Sequence, residues 1–257
     1  MHSLEVKRSN PISAIIASIP HGSSQITTEM IKSMKPDIVL PNNDWLLNEL
    51  YSFLEGLNIT TVSANYSRYV IDVNRNIRLK NQSEDYTKSL VYQKTTFGRD
   101  IYDIPLSEDT IMNRIENIYV PYHYRLSEEI NASLAVNRKV FLVDLHSFYI
   151  QSAKDVVLGT CQGKSCSSEF LEAVRSAFVE EGFTVSVDEK GLSGGYIVSK
   201  YGSLNSVEAI QIELRYTKYI ENREFGEEEA TKKNDELFKE TQIRLFSVFQ
   251  NIKTLIT

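Results

Sequence analysis

The sequence predicts an α/β fold, a single domain with a central mixed, mostly parallel sheet flanked by helices. Three observations point to it. Short apolar runs rich in β-branched residues alternate with stretches whose apolar residues return every three or four positions, as strands interleaved with amphipathic helices do. The 257 residues are enough to bury a sizeable core. No internal repeat, low-complexity tract or Pro/Gly-rich linker divides the chain, so residues 1–257 read as one domain.

Buried strands are predicted over residues 12–19, 59–64, 140–145, 183–187, 196–199 and 209–214. Helices are predicted around Trp45, Leu46 and Leu50, along Tyr122, Leu126, Ile130 and Leu134, and along Phe170, Val174 and Phe178, with Gly182 as a C-cap. A C-terminal helix follows the acidic stretch 227–229, with Phe238, Leu245, Phe249, Ile252 and Ile256 as its core-facing stripe. Residues 82–109 are polar, aromatic-bearing and weakly periodic, the character of a substrate-covering loop.

Composition excludes several classes of function. Hydrophobic residues make up 42% and charged residues 24%, so neither disorder nor a fibrous architecture is expected. The net charge is -6 and the basic residues are scattered, which leaves little footing for nucleic acid. No apolar run is long enough for a membrane span and the start lacks a signal-peptide core, so a cytoplasmic location and no membrane partner are expected. Cys161 and Cys166 are too few for a disulfide framework and lack the partners of a structural zinc site; they read as ordinary reduced thiols.

Chemistry is carried by a few polar residues at strand ends. His21 follows the first predicted strand and His146 ends the third, and carboxyl ends of strands line the crevice of open α/β sheets. Each histidine alone is more often a hydrogen-bonded structural residue than a ligand; the pair at strand ends makes a metal reading equally good. Asp144, two positions before His146 on the same strand face, is placed to orient an imidazole. A catalytic zinc takes three ligands from His, Asp and Glu. No glutamate stands three residues after His21, where Ser24 lies, and Asp44 is either the missing carboxylate or a helix N-cap. Glu213 ends an apolar run, where a carboxylate belongs to a site or to an ion pair. Arg68 and Arg75, with Asp72 and Asn74 between them, suit recognition of a substrate carboxylate or form a salt-bridge cluster. Gly194 and Gly195 allow a tight turn or a close approach of backbone to ligand. His123, flanked by Tyr122 and Leu126, reads as a packing residue.

Taken together these residues resemble the N-formylglutamate amidohydrolase family, a relative of the zinc carboxypeptidase and aspartoacylase group. The matching pieces run in order along the chain: Ile19-Pro-His-Gly22, Asn43-Asp-Trp45, Glu49-Leu-Tyr51, Tyr66-Ser-Arg-Tyr-Val-Ile-Asp-Val-Asn-Arg75, Thr95-Thr-Phe97, Pro121-Tyr-His123, Asp144-Leu-His-Ser147, Leu158-Gly-Thr160, Gly194-Gly-Tyr-Ile197 and Gln211-Ile-Glu-Leu214. The sequence departs from the family's Pro-His-Ser-Gly order, reading Pro-His-Gly-Ser, and is recast between Arg75 and Thr95.

The resemblance implies a zinc-carboxypeptidase-like fold, bound Zn2+ and hydrolysis of an N-acyl amino acid. It implies His21, Asp44 and His146 as metal ligands and Glu213 and Arg75 as catalytic residues. Arg68, Asn74 and Gly195 become substrate-binding residues. The expected substrate is N-formyl-glutamate or a similar N-acyl acidic amino acid. Other N-acyl amino acids, small peptides, and a non-catalytic metal or amino-acid binding role are the alternatives, with Glu213 favouring catalysis.

Overall fold

The computed structural model describes residues 2–79, 85–150, 152, 154–230 and 232–256. Among the described residues seven strands, β1 (Leu4–Lys7), β2 (Ile15–Ile19), β3 (Thr60–Ala64), β4 (Val140–Phe148), β5 (Val156–Gly159), β6 (Val185–Val187) and β7 (Val207–Arg215), form one sheet in the order β1-β3-β2-β4-β7-β5-β6. Pairing is antiparallel at β1 with β3 and at β5 with β7 and parallel elsewhere, the mixed and mostly parallel sheet the sequence predicts.

Seven α-helices accompany it among the described residues: α1 (Thr28–Ser33), α2 (Leu47–Leu50), α3 (Glu108–Arg114), α4 (Val120–Leu134), α5 (Ser168–Glu180), α6 (Tyr196–Tyr201) and α7 (Asp235–Ile256). One core joins α2, α5 and α7 to one face of the sheet, where the predicted stripes Phe170, Val174 and Phe178 and Phe238, Leu245, Phe249 and Ile252 are buried. A second core joins α3, α4 and α6 to the other face through Ile111, Tyr122, Leu126, Ile130 and Ile197. Gly182 takes a positive φ of 77° just past α5, as its predicted capping role requires.

The structure corrects several expectations. Residues 196–199 are not a strand but the first turn of α6. A four-residue apolar run fits either element, and here the Ile197 amide is anchored at 2.8 Å by the Asn74 side chain rather than by a neighbouring strand. The strand predicted from residue 12 begins at Ile15, and β1 and β5 were not predicted. Both are only four residues long, and β1 lies at the sheet edge, too short to display an alternation. β4 and β7 run on to Phe148 and Arg215, so His146 and Glu213 lie within strands.

That extension explains the site. On β4 the side chains of Val140 and Leu142 enter the second core, and the same face continues as Asp144 and His146. On β7 that face runs Val207, Ala209, Gln211, Glu213, while Ile210, Ile212 and Leu214 point into the first core. Each central strand therefore changes on one face from apolar to polar near its carboxyl end. β3, β2, β4 and β7 are mutually parallel, so the polar ends coincide.

Candidate functional site

At the carboxyl end of β2, His21 is buried and its Nε2 lies 2.7 Å from Asp72 Oδ1. His146, equally buried on β4, places Nε2 2.9 Å from Asp144 Oδ2. A carboxylate oxygen only accepts, so each imidazole donates Nε2–H and turns the Nδ1 lone pair the other way. The His146 Nδ1 is 2.8 Å and the His21 Nδ1 3.4 Å from the same oxygen, Asp44 Oδ2. Asp44 is not a helix cap. The cap position of α2 falls to Leu46, held at a positive φ of 62° with no side-chain cap bond, and the turn aims Asp44 inward.

Among the described residues, His21, Asp44 and His146 form a buried group whose ligand atoms all lie within 4.8 Å of one another. The donor set fits a metal ion on a specific observation: His21 Nδ1 is buried without a hydrogen-bond partner. A buried nitrogen lone pair left unpaired is costly, and a cation shared with Asp44 and His146 satisfies it. Burial disfavours a charged His146, but Asp144 and Asp44 together hold its pKa well above the usual range. The carboxylates thus favour a cation here, a proton or a metal competing for the same nitrogen. Burial also opposes ionisation of Asp44, yet the hydrogen bond with His146 and the nearness of His21 hold its carboxyl below the usual range.

Asp72 is the hub of the β3 side. Burial again opposes its charge, and His21, Arg75 and Arg68 hold it well below the normal carboxylate range. Its Oδ2 receives Arg68 Nη2 at 3.1 Å and the Tyr92 hydroxyl at 2.5 Å, and its Oδ1 receives the Asn74 amide at 2.8 Å. Arg68 also reaches Asp44 Oδ1 at 3.7 Å. The arginines are therefore no surface salt-bridge cluster: their side chains are 14% and 21% exposed, and both line the cavity. Arg75 is the less committed. Its Nη1 makes a 3.4 Å contact to the Asn74 carbonyl, and its buried Nε meets Asp72 Oδ2 only at 3.8 Å, with no hydrogen-bond partner.

The cavity, about 310 Å³, is lined by His21, Asp44, Arg68, Arg75, His146 and Glu213 among others. Tyr86, Thr87 and Thr96 come from the segment predicted to cover the substrate; residues 82–84 of that segment lie outside the described residues. Glu213 stands beside His146 in the register of β4 and β7. Burial is the main cause that pushes its carboxyl up to about 8, partly opposed by His146. A carboxylate that regains a proton so readily is matched to general-base work near neutral pH.

A model of the N-formylglutamate amidohydrolase family matches residues 13–220. The N-formylglutamate deformylase of Pseudomonas aeruginosa is 30% identical over 224 residues, covering 81% of this chain and 83% of the relative. That of Pseudomonas putida is 28% identical over 248 residues, covering 92% and 91%. The chain belongs to the N-formylglutamate amidohydrolase family. It is accordingly a hydrolase acting on a linear amide. The crystal structure of N-formylglutamate amidohydrolase from Ralstonia eutropha JMP134 shares the fold, with a TM-score of 0.81 at 20% identity and 98% of each chain covered.

Within this amidohydrolase all the residues singled out from the sequence at strand ends meet in one place, but not all are free to act. Asn74 is committed on both ends: Oδ1 accepts the Ile197 amide at 2.8 Å and Nδ2 lies 3.4 Å from Asp144 Oδ2 and 3.1 Å from His146 Nε2. Gly195 donates its amide to Gln211 Oε1 at 2.8 Å, and a Cβ there would stand 2.3 Å from Asn74 Nδ2, so its service is close approach. His123 lies outside the metal-type group. It is buried, which pushes its pKa down to about 3, and its Nε2 donates to the Val73 carbonyl at 2.9 Å. It thereby pins the loop that carries Asn74, a role beyond packing. Tyr92 and Gln211 were missed as individuals: nothing local distinguishes a tyrosine that grips Asp72 from a core tyrosine. Cys161 and Cys166 are free thiols, and burial pushes Cys166 up to about 12. No helix among the described residues is long and apolar enough to cross a membrane.

Proposed function

We propose that this amidohydrolase is a zinc enzyme that hydrolyses N-formyl-glutamate or a closely similar N-acyl acidic amino acid. The observation that carries the reading is the pair of imidazoles, each pinned at Nε2 by a buried carboxylate and each turning Nδ1 toward Asp44, with Glu213 in the same cavity. The neighbouring N-formylglutamate deformylases of Pseudomonas support the choice of substrate.

His21, Asp44 and His146 would hold the metal. Zinc, when bound, acts as a Lewis acid toward the amide carbonyl and eases ionisation of the attacking water. Glu213 takes the proton from that water and returns it to the leaving amine nitrogen, so that the C–N bond breaks and the acyl group leaves as a carboxylic acid. Asp72 and Asp144 hold the two imidazole rings in the tautomer that ligation needs.

The geometry favours a particular division of labour between the arginines. Arg68, close to Asp44 and tied to Asp72, faces the reacting carbonyl, whereas Arg75, which lines the cavity and whose Nη1 makes only a 3.4 Å contact to the Asn74 carbonyl, receives a substrate carboxylate. This is the converse of the assignment the resemblance implies, in which Arg75 is catalytic and Arg68 binds substrate.

The test is the ratio of kcat/KM for N-formyl-glutamate to that for its amidated analogues. Wild type should prefer the acid strongly. Losing one partner of a buried charge pair costs about 2 to 5 kcal/mol, so Arg75→Ala should cut the ratio by roughly 30-fold or more. Arg75→Lys, which lacks the planar fork, should recover only part of it. A wild type indifferent to amidation would move the substrate to neutral N-acyl compounds.

A further inference from the structure

Gln211 is buried on the cavity face of β7, two positions before Glu213, in the part of the strand where that face turns from apolar to polar. A carboxamide buried there is costly unless both of its ends are used. Both are. Its Oε1 accepts the Gly195 amide at 2.8 Å and its Nε2 donates to Glu213 Oε1 at 2.9 Å.

Chemistry fixes the orientation of this amide. A backbone N–H can only donate, so the oxygen of Gln211 must face Gly195, and its NH2 is left for Glu213. The far side of the clamp is equally rigid. Gly195 sits so close to Asn74 that a Cβ would overlap its side chain, and Asn74 holds the next turn through the Ile197 amide at 2.8 Å. Glu213 is thereby referenced to the same loop that abuts Asp144 and His146.

We propose that Gln211 is a positioning residue for proton transfer: by occupying Oε1 of Glu213 it fixes the carboxylate's rotamer and reserves Oε2 as the oxygen that takes and returns the proton. Among the described residues Oε2 has no hydrogen-bond partner, and Glu213 lines the cavity. The proposal rests on the reading of Glu213 as the general base. It makes Gln211 act only through that residue, which separates it from a glutamine that merely braces the Gly195 turn.

The experiment is a double-mutant cycle with zinc-loaded protein and N-formyl-glutamate. Gln211→Met keeps the volume and removes both hydrogen bonds. It should lower kcat at least about tenfold, a fraction of what the base itself supplies, with KM and zinc content nearly unchanged. In the Glu213→Gln background the same substitution should cost nothing further. An equal loss in both backgrounds, or a loss expressed in KM, would make Gln211 structural and overturn the proposal. Gln211→Glu guards against a misfolded Met variant: it keeps an acceptor for Gly195 but has no amide donor for Glu213, and should show the same fall in kcat. Wild-type turnover in Gln211→Glu would overturn the clamp. A Glu213→Gln enzyme as active as wild type would remove the base, and the proposal with it.

Discussion

Glu213→Gln is expected to lower turnover about 100-fold or more while the fold and the metal content stay intact, the usual scale for a positioned proton-transfer group. The substitution is close to isosteric. A glutamine at 213 still offers an oxygen to Gln211 Nε2, so the clamp survives and only the capacity to carry a proton is lost. Burial already pushes this carboxyl up to about 8, so replacing it with a neutral amide removes a group that is costly to ionise there. Thermal unfolding should therefore move little. Turnover within a few fold of wild type would take Glu213 out of the mechanism, and loss of folding would mark it as a structural carboxylate.

Removal of either imidazole is expected to abolish metal binding. Loss of a hydrogen-bonding partner behind a ligand typically costs about 10–100-fold in affinity, so loss of the ligand itself should cost more. His21→Ala is the cleaner variant. Asp72, left without His21, keeps Arg68, the Tyr92 hydroxyl and the Asn74 amide as partners, so the protein should fold. His146→Ala strips a partner from both Asp44 and Asp144 and should be less stable as well as metal-free. Metal analysis of the purified variants decides the matter: full occupancy in both would refute the ligand assignment. Asp44→Ala with normal metal content would move only the third ligand.

Much of the fold was legible because its signal is local. The runs at β2, β3, β4 and β7 are apolar and β-branched, and the stripes of α4, α5 and α7 repeat at helical spacing. Residues 196–199 were misread because four apolar residues carry no period long enough to separate helix from strand, and a side chain from residue 74 settles the matter. The site was legible where a charged or imidazole side chain interrupts an apolar strand, as at Asp144, His146 and Glu213. Asp44 was ambiguous because an aspartate before a helix is as good a cap as a ligand; only the left-handed turn at Leu46 decides which way it points. Tyr92, Gln211 and the second role of His123 depend on partners from 2 to 50 residues away. That Arg68 hydrogen-bonds Asp72 and also reaches Asp44, while Arg75 meets Asp72 only at 3.8 Å, is a fact of geometry that two arginines seven residues apart do not disclose.

The most direct measurement is a zinc titration of chelator-stripped wild-type protein, following release of formate from N-formyl-glutamate. Activity should be absent from the stripped protein, rise linearly with added zinc and saturate at one ion per chain. Formate release that proceeds undiminished in the stripped protein, or none at any zinc concentration, would contradict a zinc-dependent N-formyl-glutamate hydrolase.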